Sequence, residues 1–493
     1  MSVQSLHPEY MAAVAQWVRA REVLAGELAV KAAGEKYLPR LEHQSEAEYA
    51  AYVARTLFFN ATARTAEGYV GQIFRRTPFI KLPGADSALG RALKDFGHDA
   101  DMLGTTLSGY AKNILFEVIA VGRVGTLVDW EGEAENRVYV SAYAAENIIN
   151  WRVERINGRN IPTLVVLHEP NGAMTERGDD FEVRGSEQIR VLKLVESSEL
   201  RVEGAKALQC VVEIWRPEAV SAAKRKSDKV KWKLVETRVP LRLGQPLPAL
   251  PFVFHGPRHS RPEVDKLPLA DVIAVNLDHY RLNADFKHGV HFTALPTAWV
   301  SGFDNGSTLR IGSSTAWVTE TVGATAGFLE FMGHGLNTFE KAMDRDERLM
   351  AVLGSRLLES NKKVGETAEA IELRQTGEHS ILSNIATSVS ESLSQVLRWA
   401  YWWNSTEESP DDVTTEQVTV ELNTDFSTKG LSAQDIQSIV AAWQAGAISR
   451  ETMSDLFRRG EVLPEGRSSE EEAGMVGTMS SPAVAPSPTK TSS

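Results

Sequence analysis

Apolar positions recur at three- and four-residue spacing at both ends of this chain and at alternate positions through its middle, so helices flank a strand-rich region. The first stripe, Tyr10, Val14, Trp17 and Leu24, predicts a helix from Pro8 to Leu28. After the turn YLPRL, Ser45 with Glu48 forms a capping box that opens a second helix. Its apolar residues Tyr52, Leu57, Phe58, Ala61, Tyr69, Val70 and Ile73 carry it to about Arg75, where Thr77-Pro78 stops it. As one unbroken rod it would span roughly 40 Å. A third helix, from about Asp86 to Val121 with breaks at Gly97 and Gly104, places Leu107, Tyr110, Ile114, Leu115 and Val118 inward.

The middle switches period. Val124 to Trp130 reads as a strand, and Ile148 to Ile156 alternates Ile149, Trp151 and Val153 against Asn150, Arg152 and Glu154. Asn157-Gly158 then turns the chain towards Ile161 to His168, a hairpin signal. Further strands are predicted at Ile189 to Glu196, Leu208 to Trp215 and Val230 to Arg238. The order makes an α+β body, 1–262.

Five prolines (Pro246, Pro248, Pro251, Pro257, Pro262) close that body. Leu267 to Lys287 then predicts a long helix, with Leu269, Ile273, Leu277, Tyr280 and Ala284 on one face. Leu336 to Leu353 predicts another, with Phe339, Met343 and Met350 inward and the run Asp344-Arg345-Asp346-Glu347-Arg348 outward. Between them lies a Gly-, Thr-, Val- and aromatic-rich module of short strands, Gly289 to Gly335. A polar loop, 354–366, leads to a helix from Thr367 to Trp403 with a kink candidate at Gly377. Its stripe is Ile381, Ile385, Val389, Leu393, Val396 and Ala400. Two shorter helices follow, Ser432 to Ala445 and Ser449 to Arg459. From Arg467 onward, Ser, Pro, Thr and Glu without periodicity predict disorder.

Composition narrows the chemistry. The net charge is −12, whereas a protein that grips DNA through its phosphates needs a basic surface. No window approaches the roughly 20 apolar residues of a membrane span, and the N-terminus has no secretory pattern. Cys210 is the lone cysteine, so an intrachain disulfide is excluded. There is no G-x-x-x-x-G-K-[ST] phosphate loop, and Gly122-Arg-Val-Gly125 precedes a strand instead of opening a helix. His168-Glu169 lacks a second histidine, and Pro170 argues against a helix there. Asp344 to Glu347 radiate around a helix axis, which suits a charged face better than a metal site. The basic run Lys224-Arg225-Lys226 with Lys229, Lys231 and Lys233 around Trp232 reads first as the solvent face of an edge strand. Trp399, Tyr401, Trp402 and Trp403 read as core. No catalytic residue, cofactor or metal is expected.

Eight phrases in order carry a resemblance: EVLAGELAVKAAGEKYLPRL, GYVGQIFRRTPFI, VGRVGTLVDW, AENIINWRVERING, LDHYRLNADFKHGVHFTALPTAWVSG, GFLEFMGHGL, RLMAVLGSRLL and ELNTDFSTKGLSAQDI. Together they resemble the portal proteins, or head-to-tail connectors, of tailed double-stranded-DNA bacteriophages, over nearly the whole chain to about Gly466. The resemblance implies a mainly helical α+β portal fold that assembles as a dodecameric ring at one capsid vertex of the virion. It implies a wing at 1–262 and 367–426, stem helices at 263–289 and 336–353, a clip at 290–335, a tunnel loop at 354–366 and a crown at 427–466, with 467–493 as a disordered tail.

By the same resemblance Asn361, Lys362 and Lys363 are candidates to face passing DNA, while Gly354, Gly365 and Gly377 are hinge candidates. The plainer account of the two lysines is a solvated loop. Implied partners are further copies of the chain, duplex DNA read without sequence specificity, terminase, a tail adaptor, and capsid and scaffolding proteins, with assembly in the host cytoplasm and no membrane. The alternatives are another phage structural protein, such as an adaptor or capsid subunit, and a DNA-packaging enzyme. The enzyme would need a nucleotide loop or carboxylate metal site that the sequence does not display.

Overall fold

The computed structural model describes residues 2–132, 135–172, 186–197, 207–218, 231–294, 297–303, 317–329, 333, 335–354, 368–424, 426, 433–459 and 462. Helices α1 (Pro8–Ala25), α2 (Glu27–Ala32), α3 (Glu46–Arg55) and α4 (Ala61–Ile73) lead into strand β1 (Phe79–Lys81), then α5 (Ala88–His98) and α6 (Leu107–Val121). Strands β2 (Val124–Glu131), β3 (Arg137–Ala144), β4 (Ile148–Ile156), β5 (Arg159–Gly172), β6 (Ser186–Glu196), β7 (Leu208–Pro217) and β8 (Trp232–Arg238) follow. Short strands β9 (Leu241–Arg242), β10 (Gln245–Pro246) and β11 (Phe252–His255) end the β region. Next come α7 (Ala270–Ala294), β12 (Thr297–Ser301), β13 (Thr325–Leu329), α8 (Leu336–Leu353) and α9 (Ala368–Asn404). Last are β14 (Thr419–Glu421), α10 (Ala433–Gln444) and α11 (Arg450–Arg459). The fold is α+β, as the change of period predicts.

The chain divides into two compact units: Met1–Val70 with Asn113–Thr367, and Gly71–Lys112 with Ala368–Ser493. In the first, β4 to β8 form a five-stranded antiparallel meander and β11-β2-β3 a three-stranded sheet. The predicted hairpin turn is present: Asn157 and Gly158 sit at φ 52° and 80°, the left-handed pair that matches strand twist. Strand β3 escapes the sequence reading, although its alternation of buried Val138 and Val140 with Tyr139 and Ser141 was there to find.

A buried ionic network ties the two sheets of this unit together. Tyr143 on β3 donates to Glu169 Oε1 at 2.6 Å, and Arg190 Nε donates to the same oxygen at 2.8 Å. Gln188 Nε2 donates to Glu169 Oε2 at 2.5 Å, and Arg238 lies 3.4 Å from Asp129 on β2. Burial works to raise the Glu169 pKa, but the Arg190 charge and the donated hydrogen bonds outweigh it and hold the carboxyl below its usual value. A second buried cation, Arg123, lies 4.1 Å from the Trp151 ring centroid and 4.8 Å from that of Phe254, and donates to the Pro262 carbonyl. His7 also stacks on Trp151, with ring centroids 3.9 Å apart.

Glycines in the phrase VGRVG serve packing and chain reversal. Gly122 takes φ 74° after α6, and a Cβ at Gly125 would overlap the Phe252 ring on β11. Arg21 forks onto Glu117 at 2.8 and 2.6 Å and onto Glu146 at 2.9 and 3.1 Å, joining α1 to α6 and to the turn before β4.

Two predicted rods are broken. The first stops at Gly26, φ 91°, which separates α1 from α2. The Ser45–Glu48 capping box forms as read, but the helix it opens ends at Arg55, and α4 restarts at Ala61. The break has tertiary causes. Asn283 Oδ1 on α7 accepts from Leu57 N at 2.9 Å. Asn276 Oδ1 accepts from Thr62 N at 3.1 Å and Thr62 Oγ1 at 2.8 Å, while Asn276 Nδ2 donates to the Phe59 carbonyl at 2.7 Å. Asn60 adds a cap, donating to Leu24 O at 3.3 Å and accepting from Ala63 N at 3.1 Å. Backbone groups that helix bonds would have used find partners from a distant helix instead.

In the second unit, α9 packs Leu382, Ile385, Ala386, Val389, Leu393, Val396 and Leu397 inward, and Trp399, Tyr401, Trp402 and Trp403 are buried as core. Ile381, placed on that stripe by spacing, is 62% exposed. Strand β1 pairs with one edge of β14. Serines from α9 satisfy the other edge: Ser390 Oγ accepts from Leu422 N at 2.9 Å, and Ser394 Oγ accepts from Val420 N at 2.9 Å. The last helices, α10 and α11, turn at Gly446, φ 74°.

Candidate functional site

The candidate site is the segment that leaves along α7, turns through β12 and β13, and returns along α8. Helix α7 has 25 residues and α8 has 18, or roughly 37 and 27 Å at 1.5 Å per residue. The second helix has the bounds the sequence predicts, whereas α7 continues beyond Lys287 to Ala294. Its buried face is Val272, Ile273, Asn276, Leu277, His279, Tyr280, Asn283 and Ala284. Apolar packing holds this helix, while the two asparagines seat it against the break between α3 and α4.

Contacts between α7 and α8 set an antiparallel register. His279 Nε2 lies 3.6 Å from Glu347, Asn283 Nδ2 lies 3.9 Å from the Met343 sulfur, and a Cβ on Gly289 would come within 2.9 Å of Leu336. Phe339 and Met343 are half-buried and Met350 fully buried, as the stripe predicts. Asp346 is a correction. Spacing put it outward with its charged neighbours, but it is 8% exposed, and its Oδ2 has no hydrogen-bond partner among the described residues. Burial raises its pKa, and the charge of Asp278 adds to that.

A folded-state pKa above the unfolded value means the Asp346 contribution is fully present below the unfolded pKa and is lost as pH rises through the folded one. Asp346→Asn should therefore raise the melting temperature at pH 7 and leave it nearly unchanged at pH 3. Thermal melts at the two pH values check this.

Between the helices, β12 and β13 form a two-stranded ribbon with Thr297 opposite Leu329 and Ser301 opposite Thr325. Gly327 sits beneath Trp299, where a Cβ would meet the indole at 3.0 Å. Trp299 and Phe328 remain 46% and 55% exposed, so the ribbon presents aromatic surface without a core of its own.

Of the predicted tunnel loop only its first residue is described; Asn361, Lys362, Lys363 and Gly365 lie outside the described residues. Gly354 ends α8 at φ −110°, so space and not a left-handed backbone demands glycine here. A Cβ would fall 2.6 Å from Thr65 Oγ1 and 2.9 Å from the Met350 carbonyl. Gly354→Ala should cost about 1–3 kcal/mol, read by denaturant unfolding, with Thr65→Ala recovering part of the loss. Gly377 lies within α9, whose helical assignment continues through it.

Other sequence candidates resolve locally. Lys231 and Lys233 are exposed around the half-buried Trp232 at the start of β8, which pairs with β7; Lys224, Arg225, Lys226 and Lys229 lie outside the described residues. His168 is on a strand, 2.7 Å from Glu187. Cys210 is buried, which pushes its thiol pKa up to about 12. Among the described residues no group of three or more His, Cys, Asp or Glu is arranged to hold a metal, and no helix is long and apolar enough to cross a membrane.

A family model described as a domain of unknown function, DUF4055, matches residues 268–404, the stretch from α7 through α9. No curated protein sequence matches the chain. Among solved structures, the chain is similar to one from the neck of a native gene transfer agent particle computed with C12 symmetry. That match has 9% identity and a TM-score of 0.37, and covers 80% of this chain and 89% of the other. It is also similar to one from the virion of a native gene transfer agent particle, with 10% identity and a TM-score of 0.37, covering 88% of this chain and 98% of the other. Likeness at that level assigns no role to this chain.

Proposed function

We propose that this chain is a phage structural protein of the head-to-tail junction, and specifically a portal subunit. In this reading α7 and α8 are the stem, β12 and β13 belong to the clip, and α10 and α11 to the crown. Repeated about an axis, such subunits leave a channel through which DNA is packaged and later released. The function is conduction and docking, without enzymatic chemistry: the clip receives terminase during packaging and an adaptor afterwards, while the capsid and scaffolding proteins assemble around the wing.

The observation that carries this reading is the α7–ribbon–α8 segment. Two long packed helices bear a ribbon whose Trp299 and Phe328 stay exposed, as a surface meant for partners would. The ordered sequence phrases shared with portal proteins support the same assignment. A subunit whose net charge is −12 also suits a wall that lets a polyanion slide past.

Negative-stain images of the purified chain should show rings with a central hole; monomers with ATPase or nuclease activity would favour the packaging-enzyme alternative. Within the ring, Lys362→Glu with Lys363→Glu should change DNA packaging or retention while leaving ring formation intact. Loss of rings would count against placing those lysines in the channel.

A further inference from the structure

The stretch ahead of α1, residues 2–7, lies along the outer edge of β4, the first strand of the five-stranded sheet. His7 N donates to the Ile149 carbonyl at 3.0 Å, and Asn150 Nδ2 donates to the Ser5 carbonyl at 2.8 Å. Val3 and Tyr10 pack against the apolar cluster of Ile149, Val166, Ile189 and Val191. The half-buried His7 is the residue that joins this stretch to both α1 and the sheet.

Three features around His7 oppose a charged imidazole. Its Nδ1 accepts from the Glu9 amide at 3.2 Å, as the N-cap of α1. An imidazolium has two N–H donors and no acceptor, so protonation removes that cap. The ring also stands at the positive end of an 18-residue helix, where a cation is disfavoured. Finally, it stacks on Trp151 with 3.9 Å between centroids, and the Arg123 guanidinium lies 4.1 Å from the same indole. A charged His7 would place two cations on one ring.

The opposing group is the exposed Glu9 carboxylate, whose Oε2 already accepts from Val264 N at 2.9 Å. On the far side of Arg123, Glu263 and Asp265 act on the guanidinium, and Asp265 also lies 3.9 Å from His259. One residue beyond Glu9, Tyr10 donates to the Glu146 carbonyl, while Arg21 holds the Glu146 carboxylate. The balance goes against protonation. Burial and the Arg123 charge outweigh Glu9 and hold the imidazole below its usual pKa.

We propose that His7 is the pin of a pH-sensitive latch: neutral, it holds residues 2–7 on the edge of β4, and protonated, it lets them go. Release uncovers the Ile149 carbonyl and the apolar cluster beneath Val3. Asparagine or serine would cap α1 at every pH, whereas histidine makes the cap conditional. The sign follows from the lowered value in the closed form. The latch is fully engaged above the ordinary imidazole pKa and is lost as pH falls from there through the lowered one. Between the two values the ratio of open to closed grows about tenfold per pH unit. The latch belongs to the single chain and stands whether or not copies form a ring.

Hydrogen exchange of the full chain, read by mass spectrometry at pH 7 and pH 5 with labelling times scaled to the chemical exchange rate, tests it. Residues 2–11 should exchange about tenfold faster at pH 5, while residues 189–194 of β6 stay protected. His7→Asn keeps a cap without a titrating group, so its exchange should be equal at the two pH values. Glu9→Gln removes the one group that favours the charge and can still accept from Val264, so release should require a lower pH. Equal protection of residues 2–11 in wild type at both pH values overturns the latch, as does an acid response that persists in His7→Asn. If His7→Asn leaves the stretch open throughout, Glu9→Gln decides: a release pH that stays or rises overturns the proposal. Acid exchange that spreads to residues 189–194 is general unfolding and overturns it too.

Discussion

Glu169→Ala should lower the unfolding free energy by about 3 kcal/mol, because it removes the close partner of the enclosed Arg190 and leaves it only Asp129 at 3.9 Å. Both side chains are largely enclosed, 14% and 15% exposed, and the carboxylate also receives Tyr143 and Gln188. The same principle predicts that replacing both partners, Glu169→Leu with Arg190→Met, costs far less, since no uncompensated charge remains. Urea unfolding of the three chains at pH 7 separates the outcomes. The pH dependence follows from the direction of the shift: with a lowered folded-state pKa, the Glu169 contribution is present above its unfolded value and is lost as pH falls through the folded one. Wild-type stability should thus fall towards acid more steeply than that of the double variant. A single-site loss below about 1 kcal/mol would mean that the network is not closed as described.

Asn276→Leu should be the next most damaging change, costing about 3 kcal/mol or more. Asn276 is fully buried and serves three groups at once: the Thr62 amide, the Thr62 hydroxyl and the Phe59 carbonyl. A leucine of similar size strands them inside. Asn276→Asp keeps the two acceptor contacts but loses the donor and buries a charge, so its defect should ease towards acid as the carboxyl is neutralised. Leucine at the neighbouring, half-buried Val275 should be nearly neutral, since one apolar side chain replaces another and no hydrogen bond is lost. Denaturant unfolding reports each change, and hydrogen exchange at residues 57–62 should rise only for the variants at 276.

Helix α8 was legible to the residue, because its stripe is regular and glycines bound it. The α3–α4 break was not read from the sequence, since residues 45–75 hold no proline and the one local signal at the break, Asn60 as a cap for α4, is outweighed by the continuous apolar stripe. What interrupts them is the side chains of Asn276 and Asn283, more than two hundred positions away. Asp346 misled for a related reason. Spacing places a charged residue among charged neighbours, while helix packing decides which of them is enclosed. The candidate channel residues Asn361, Lys362 and Lys363 rest on resemblance, because two lysines in a polar loop carry no local chemical signature.

By itself the amino-acid order determined the α+β class, the position and length of most rods and strands, and the punctuation at Ser45, Asn157-Gly158 and Gly354. These are short-range matters, settled by periodicity, capping and backbone preference within a few residues. Only the tertiary structure decided where a rod breaks, which carboxylates are enclosed, and how the strand edge of β14 is closed by serines. It also set the register of α8 on α7, with His279 beside Glu347. Each of these depends on groups far apart in the chain competing for the same hydrogen bonds or the same space, and no local pattern encodes who their partners will be.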